Sequence, residues 1–275
     1  MSFDVPLSVG KSLRLSRIFD PNTKTTVIVP MDHSVEGYFP ELADPKALIA
    51  SLASAGANAF ILRKGTAAAA MSSYAGKASL ILRITCATGL RNEMAEQTYT
   101  ASVEEAIRLG ADAVVPNVFF GSEREAEDLH NLGILTDACD AWGMPVLVEA
   151  MPIGGKDATP FEGPYSVEDV RLAVRTAAEE GADFVKTYYP GDPENFSKIT
   201  KYSTVPVIIA GGPKTSRIED TLRMVYDAMK GGAKGIALGR KVWGSENPTA
   251  TLRVLKRIVQ DGLSAEAAIL ELRRS

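Results

Sequence analysis

A chain of 275 residues, with 45% hydrophobic and 23% charged side chains, has the composition of an ordinary folded protein, and its two cysteines cannot build a disulfide framework. The formal net charge of -4 offers no basic surface for a phosphate backbone, so we expect no nucleic-acid partner. No apolar run approaches the roughly 20 residues that span a bilayer, and no signal segment is evident, which predicts a cytoplasmic protein without a membrane partner.

Short apolar and β-branched runs recur along the chain, and each is followed by a segment with helical spacing. This order predicts parallel βα units after a short N-terminal extension, and eight strands are enough to close a barrel. An amphipathic helix is predicted over 264–274. The predicted strands are 25–33, 59–64, 79–85, 113–119, 145–152, 184–189, 206–212 and 235–240.

A Gly-Ala pair, led by Gly56, Gly110, Gly181 or Gly232, precedes every even-numbered strand. Glycine at these joints suits the left-handed cap of a preceding helix. The repeat favours a single (β/α)8 TIM barrel that occupies residues 1–275 as one domain. A doubly wound Rossmann sheet is the alternative, but it would need a GxGxxG turn after the first strand, and none follows it. The Gly- and Pro-rich segment 154–165 predicts a long loop over the active face.

Polar residues follow several predicted strands, at the end where the active site of a barrel lies. Asp32 and His33 end the first strand, Glu149 lies in the fifth, and Lys186 and Tyr188 lie in the sixth. A lysine within an apolar strand is expected to have a lowered pKa, and its free amine could attack a carbonyl to form a Schiff base. The alternative is a lysine that reaches Asp32 or Glu149 in a purely structural ion pair.

Glycine-rich turns follow the seventh and eighth strands. Gly211 and Gly212 end the seventh strand, and Gly239 and Arg240 end the eighth. Backbone N–H groups and a guanidinium at this position of a barrel predict a phosphate site. The alternative is that tight turns need glycine for their own geometry.

The first strand and the histidine count bear on the chemistry. Asp32 is expected near the barrel mouth, where it could orient hydroxyls or transfer protons, or else act as a loop or N-cap carboxylate. His33 should point to the opposite face if the strand continues, and is expected to be structural. Only His33 and His130 are present, so a histidine-rich zinc site is impossible and no metal or cofactor is predicted. An iminium is therefore the expected electron sink, with carboxylate-bound magnesium as the alternative.

The chain resembles the archaeal-type class I aldolase family, also called the DhnA or DeoC/FbaB-like Schiff-base aldolases. The resemblance rests on the motifs at 31–33, 185–189, 210–214 and 239–243. It implies that Lys186 is the Schiff-base lysine, that Asp32 assists it, and that the chain forms a homo-oligomer. It also implies a substrate phosphate at four residues, namely Gly211, Gly212, Gly239 and Arg240.

One departure from the family pattern concerns proton transfer. Members of the family commonly carry a tyrosine on the fifth strand in a Tyr-Pro-Arg-Gly context, whereas this chain has Met151 followed by Pro152 and Ile153. Methionine cannot transfer a proton. Glu149 lies two residues earlier, on the same strand face, and is predicted to replace the tyrosine, with a pKa raised by the barrel interior. Tyr188, two residues after Lys186, is the competing candidate.

These residues predict a Schiff-base-forming class I aldolase-type enzyme, a lyase that acts on a phosphorylated ketose or related carbonyl compound. The resemblance also allows a thiolase or transferase on a phosphorylated diketone, or a transaldolase similar to aminodideoxyheptulosonate synthase. Two further alternatives stay open. One is a non-catalytic sugar-phosphate-binding protein, and the other is a barrel isomerase that uses Glu149 as a base without a covalent intermediate.

Overall fold

The computed structural model describes residues 8–90, 95–153, 166–212 and 217–274. In these ranges nine strands form one parallel sheet, and two short segments form a separate antiparallel pair. The nine strands of the main sheet are β1 (Thr26–Pro30), β2 (Ala59–Leu62), β3 (Ser79–Arg83), β6 (Ala113–Val115), β7 (Asn117–Phe120), β8 (Leu147–Pro152), β9 (Phe184–Thr187), β10 (Val207–Ala210) and β11 (Gly235–Ala237). The antiparallel pair consists of β4 (Thr85–Cys86) and β5 (Thr98–Tyr99).

Helices follow most strands, as the predicted βα repeat requires. Serine, aspartate or asparagine side chains cap many of their first turns, for example Ser166, which accepts from the N–H of Asp169. The helices are α1 (Val9–Ile18), α2 (Pro45–Ser54), α3 (Lys64–Ala69), α4 (Met71–Tyr74), α5 (Val103–Arg108), α6 (Glu125–Trp142), α7 (Val167–Glu179), α8 (Pro193–Tyr202), α9 (Ile218–Lys230), α10 (Arg240–Trp243), α11 (Pro248–Asp261) and α12 (Ala265–Leu272).

The main sheet closes on itself through its fourth strand. The sheet runs in the order β6-β3-β2-β1-β11-β10-β9-β8-β7, so its two ends are β6 and β7, which are consecutive in the chain. Pro116 separates them, because proline has no N–H to donate to a ladder. Its carbonyl still accepts a hydrogen bond from the N–H of Glu149 at 3.0 Å. The result is a (β/α)8 barrel, as predicted, although the prediction of an unbroken fourth strand over 113–119 was wrong.

The N-terminal extension forms α1, which packs across the bottom of the barrel. Leu15, Ile18 and Phe19 join the apolar side chains inside the barrel in one buried cluster, and the ring of Phe19 meets that of Phe184 edge-on at 5.3 Å. Lys11 is buried and pairs with Asp183 at 2.9 Å. The lower barrel is therefore filled with apolar groups, which leaves polar groups to its upper end.

Other predictions of local structure had mixed outcomes. The glycines that lead the four repeated joints all have positive φ, as a left-handed cap requires, at Gly56, Gly110, Gly181 and Gly232. The predicted C-terminal helix is present as α12. The predicted first strand was too long, because β1 ends at Pro30 and a 3-10 turn follows at His33–Val35. The loop predicted over 154–165 lies outside the described residues. No helix in the described ranges is long and apolar enough to cross a membrane.

Candidate active site

A cavity opens at the upper end of the barrel, where the strands end. It brings together all eight side chains and glycines predicted to form a site, from five strands and the turns that follow them. The cavity is lined by Pro30, Asp32, His33, Glu36, Arg63, Arg83, Gln97, Asn117, Glu149, Met151, Lys186, Tyr188, Ala210, Gly211, Gly212, Ala237, Gly239, Arg240 and Lys241.

Lys186 and Glu149 form a buried ion pair on adjacent strands. The two residues are direct partners in the register of β8 and β9, and both side chains line the cavity. Lys186 is 6% exposed, and its Nζ donates to Glu149 Oε1 at 2.5 Å. Thr187 points the other way and donates to the carbonyl of Ala150. The predicted alternation therefore holds here, and it places Met151 and Tyr188 on the cavity wall as well.

Arg83, at the end of β3, connects the acidic groups of the site. Its Nε donates to Asp32 Oδ2 at 2.6 Å, and its Nη1 donates to Asn117 Oδ1 at 2.7 Å. Its Nη2 donates to Glu149 Oε2. The side chain is buried, and the sequence analysis missed it, although its place at the end of an apolar strand was a signal of the kind used for Lys186.

The four charged side chains at the centre of the cavity neutralise one another. Burial opposes the ionisation of Asp32 and Glu149, but the positive charges of Arg83 and Lys186 outweigh it and hold the pKa of each carboxyl below its usual value. The prediction of a raised pKa for Glu149 was therefore wrong, because two cations contact this carboxylate. Burial likewise opposes the charge on Arg83, whereas the two carboxylates raise its pKa. Both acids are therefore carboxylates at neutral pH, and a lysine amine has a proton acceptor within hydrogen-bond distance.

His33 does not lie on the opposite face from Asp32, and that prediction was wrong. Because β1 ends at Pro30, strand alternation no longer applies, and both residues line the cavity. The His33 ring packs edge-on against Trp243 at 5.5 Å, and its Nδ1 lies 3.6 Å from Asp32 Oδ1 without a hydrogen-bond partner. Burial lowers the pKa of His33 to about 4, so the ring is neutral at neutral pH. Asp32 precedes the 3-10 turn but makes no side-chain cap; it binds Arg83 instead.

The glycine turns line the cavity at the ends of β10 and β11, next to β9, which carries Lys186. Gly212 has a φ of 62°, and a side chain at Gly239 would approach the carbonyl oxygen of Pro30 to 2.6 Å, so both positions favour glycine for backbone reasons. Arg240 is exposed at the start of α10 and reaches the cavity. Residues 213–216 of the predicted cradle lie outside the described residues.

Lys241 is a second cation on this wall that the sequence analysis did not single out. Its side chain passes near Gly211, with Cε 3.8 Å from the point where a Cβ of that residue would stand. Burial and the charge of Arg240 lower the pKa of Lys241 to about 8. The wall that carries the glycine turns therefore carries two neighbouring cations and suits an anion.

In the described parts of the chain, no three or more histidine, cysteine, aspartate or glutamate side chains are grouped so that they could hold a metal ion.

The chain is similar in sequence and in structure to several known proteins. The model of the DeoC/LacD family aldolases matches residues 26–245. The 2-amino-4,5-dihydroxy-6-oxo-7-(phosphonooxy)heptanoate synthase of Streptomyces griseus is 34% identical over 260 residues, which are 94% of this chain and 93% of that protein. The 3-hydroxy-5-phosphonooxypentane-2,4-dione thiolase of Klebsiella pneumoniae is 34% identical over 95% of this chain and 85% of its own. A Schiff-base-forming fructose-1,6-bisphosphate aldolase of known structure is 33% identical, with a TM-score of 0.81, over 90% of this chain and 99% of its own.

Proposed function

The chain belongs to the DeoC/LacD family of aldolases, and from this premise we propose that it makes or breaks a carbon–carbon bond in a small phosphorylated carbonyl compound through a Schiff base on Lys186. The observation that carries the proposal is the placement of Lys186. Its amine is buried at the mouth of the barrel, bonded to Glu149, in a cavity whose neighbouring glycine turns and cations suit a phosphate.

The proposed reaction begins with a proton transfer from Lys186 to Glu149, which are 2.5 Å apart. The free amine adds to the substrate carbonyl, and the resulting carbinolamine loses water to give an iminium. The iminium then accepts the electron pair of the bond between the carbons α and β to it as that bond breaks, while the hydroxyl on the β carbon loses its proton to the proton-transfer group and becomes the carbonyl of the departing product. The enamine left on Lys186 is protonated at the α carbon and hydrolysed by water, which frees the amine, and the reverse sequence forms the bond. A proton acceptor close to the amine is therefore the first requirement of this chemistry, and the structure supports it.

The proton-transfer group is the feature in which this chain departs from the tyrosine pattern. Met151 lines the cavity but has no proton to exchange. We assign the role to Glu149, because its Oε1 already contacts the reacting amine. Tyr188 is the competing candidate, since its side chain also lines the cavity and is 2% exposed. Asp32 is assigned a supporting role through its bond to Arg83.

We assign the substrate phosphate to the wall formed by Gly211, Gly212, Gly239 and Arg240. Backbone N–H groups of glycine turns and a guanidinium are the groups that bind phosphate in proteins. The names of the Streptomyces and Klebsiella relatives describe phosphonooxy compounds, which supports a phosphorylated substrate here. One of these relatives is a synthase and the other a thiolase, so both a lyase and a transferase reaction belong to the proposal.

The proposal extends to the surroundings of the enzyme. We expect residues 1–275 to act as one domain, in the cytoplasm, as a homo-oligomer and without a metal or cofactor. The net charge of -4 agrees with small-molecule substrates and gives no support for nucleic-acid binding. Light scattering on the purified chain measures the oligomeric state.

Borohydride trapping tests the proposal. The protein is incubated with dihydroxyacetone phosphate, fructose 1,6-bisphosphate or a phosphorylated diketone and is then reduced with borohydride. Its intact mass is measured by mass spectrometry. A Schiff base adds the mass of the bound carbonyl compound less one oxygen atom. The same compounds are assayed for turnover. Turnover without capture would indicate the isomerase alternative, whereas phosphate-dependent binding with neither capture nor turnover would indicate a binding protein.

A further inference from the structure

We infer that Arg83 is a positioning residue, which holds Glu149 by one carboxylate oxygen so that the other faces Lys186, and which keeps that carboxylate charged beside the iminium. The inference rests on the proposed function, because it concerns how Glu149 serves the Schiff base. Nothing in the resemblance to aldolases implies a role for this arginine.

The carboxylate of Glu149 is held at both of its oxygens. Arg83 donates to Glu149 Oε2, while Lys186 donates to Oε1 of the same carboxylate. The two oxygens therefore have separate partners, and the carboxylate cannot rotate without breaking one of these bonds. Arg83 is itself fixed by Asp32 at 2.6 Å and Asn117 at 2.7 Å. A planar guanidinium can serve three acceptors in fixed directions, which a lysine ammonium does less well.

Arg83 also places a positive charge between two buried carboxylates. Asp32 and Glu149 are both buried, and Arg83 is the cation that contacts both of them. Without it, Lys186 would be the cation left beside Glu149, since Arg63 acts on Asp32, and the repulsion between the two carboxylates would favour protonation of Glu149. A protonated Glu149 can neither accept the proton of the amine nor balance the charge of the iminium. Arg83 thus acts on the reaction through Glu149, without contact with the reacting carbon.

The experiment compares Arg83→Met and Arg83→Lys with the wild type. Borohydride capture of Lys186 is measured from pH 5 to 9, and kcat/KM for a phosphorylated ketone is measured from pH 4 to 9, so that the range begins below 4.5, the ordinary pKa of a glutamate. Both variants are confirmed as folded by circular dichroism, and the lysine variant provides the test if the methionine variant does not fold. Arg63→Met is the matched control, because Arg63 also lines the cavity but donates to the backbone carbonyls of Asp32 and Thr85.

We expect Arg83→Met to shift the acidic limb of both profiles to higher pH and to lower the rate of capture roughly 10²-fold at neutral pH, as misplaced catalytic groups do. Arg83→Lys should restore the acidic limb, because lysine returns the positive charge. It should restore only part of the capture rate, because an ammonium lacks the planar donor geometry of the guanidinium. Arg63→Met should leave the acidic limb in place. In a Glu149→Gln background, Arg83→Met should cause no further shift of the limb.

Two results would overturn the inference. One is a wild-type acidic limb and capture rate in both Arg83 variants. The other is an equal shift caused by Arg83→Met in the Glu149→Gln background, which would show that Arg83 does not act through Glu149. Failure of the proposed function is distinguishable, because in that case the wild-type protein itself would give no adduct on Lys186.

Discussion

Replacement of Glu149 by glutamine removes the proton acceptor of Lys186, so it should slow both covalent capture and turnover without removing the nucleophile. The amide has the shape of the carboxylate but no charge, so it cannot accept the proton of Lys186 at 2.5 Å. One of its two ends must also present an N–H₂ group to either Arg83 or Lys186, where the carboxylate now accepts hydrogen bonds. We therefore expect Glu149→Gln to slow proton transfer, while Lys186 and the proposed phosphate-binding residues keep their positions.

The size of the effect follows from the two roles of the carboxylate. A positioned acid–base group contributes roughly 10²–10⁴-fold in rate, and at 1.36 kcal/mol per tenfold this is about 3–5 kcal/mol of barrier. Loss of one partner from a buried ion pair also costs about 3–5 kcal/mol of stability. Glu149 is 5% exposed, so solvent screening does not reduce this estimate greatly. The variant is therefore to be assayed well below its own melting temperature.

The assay measures kcat and borohydride capture on the same preparation. Glu149→Gln should lower kcat by roughly two to four orders of magnitude, whereas prolonged incubation should still give the reduced adduct on Lys186. Tyr188→Phe is the matched control, because Tyr188 lies two residues from Lys186 on the same wall. It should keep most of the wild-type kcat if Glu149 is the proton-transfer group.

The opposite pattern would refute this reasoning. A near-normal kcat in Glu149→Gln, together with a large loss in Tyr188→Phe, would assign proton transfer to Tyr188, next to β9, and leave Glu149 as an ion-pair partner of Lys186. If neither substitution lowers kcat, proton transfer belongs to water or to the substrate phosphate.

Three further predictions follow from the site. Arg240→Ala should weaken binding of a phosphorylated substrate by roughly 1.5–3 kcal/mol, the value of a charged hydrogen bond, and an unchanged KM would remove Arg240 from the phosphate site. An ordinary histidine has a pKa of 6.5, whereas burial lowers the pKa of His33 to about 4. Below pH 6.5 the unfolded chain therefore binds a proton that the folded chain does not, so the free energy of unfolding should keep its full value above pH 6.5 and fall by up to about 3 kcal/mol towards pH 4. Urea unfolding of His33→Gln should lack this part of the loss. Turnover should survive EDTA, because the iminium is the proposed electron sink, and activity restored only by a divalent metal would contradict this.

The barrel could be predicted because each strand is a short apolar run and each joint repeats the same glycine. The break at Pro116 was not predicted, since apolar residues lie before it and again directly after Asn117, so the run looks nearly continuous in the sequence. Proline removes one ladder donor, and the strand resumes at Asn117 to pair with β8. Closure of the barrel thus depends on both halves of a strand that the sequence shows as one.

The contact of Lys186 with Glu149 was foreseen as an alternative because the two residues lie on adjacent parallel strands and strand alternation places both inside. Arg83 was not foreseen, because its partners Asp32, Asn117 and Glu149 are 51, 34 and 66 residues away in the chain. These residues come together only in the folded structure. His33 was misplaced for a local reason, since the alternation argument fails once β1 ends at Pro30.

The central claim is that Lys186 forms the covalent intermediate, and the location of the reduced adduct tests it most directly. The protein is trapped with borohydride in the presence of a phosphorylated ketone, digested, and sequenced by tandem mass spectrometry, with Lys186→Ala treated in parallel. The account predicts a single modified peptide that carries the adduct on Lys186, and neither adduct nor turnover in the variant. An adduct on Lys64, Lys156 or Lys214, or full activity in Lys186→Ala, would contradict it.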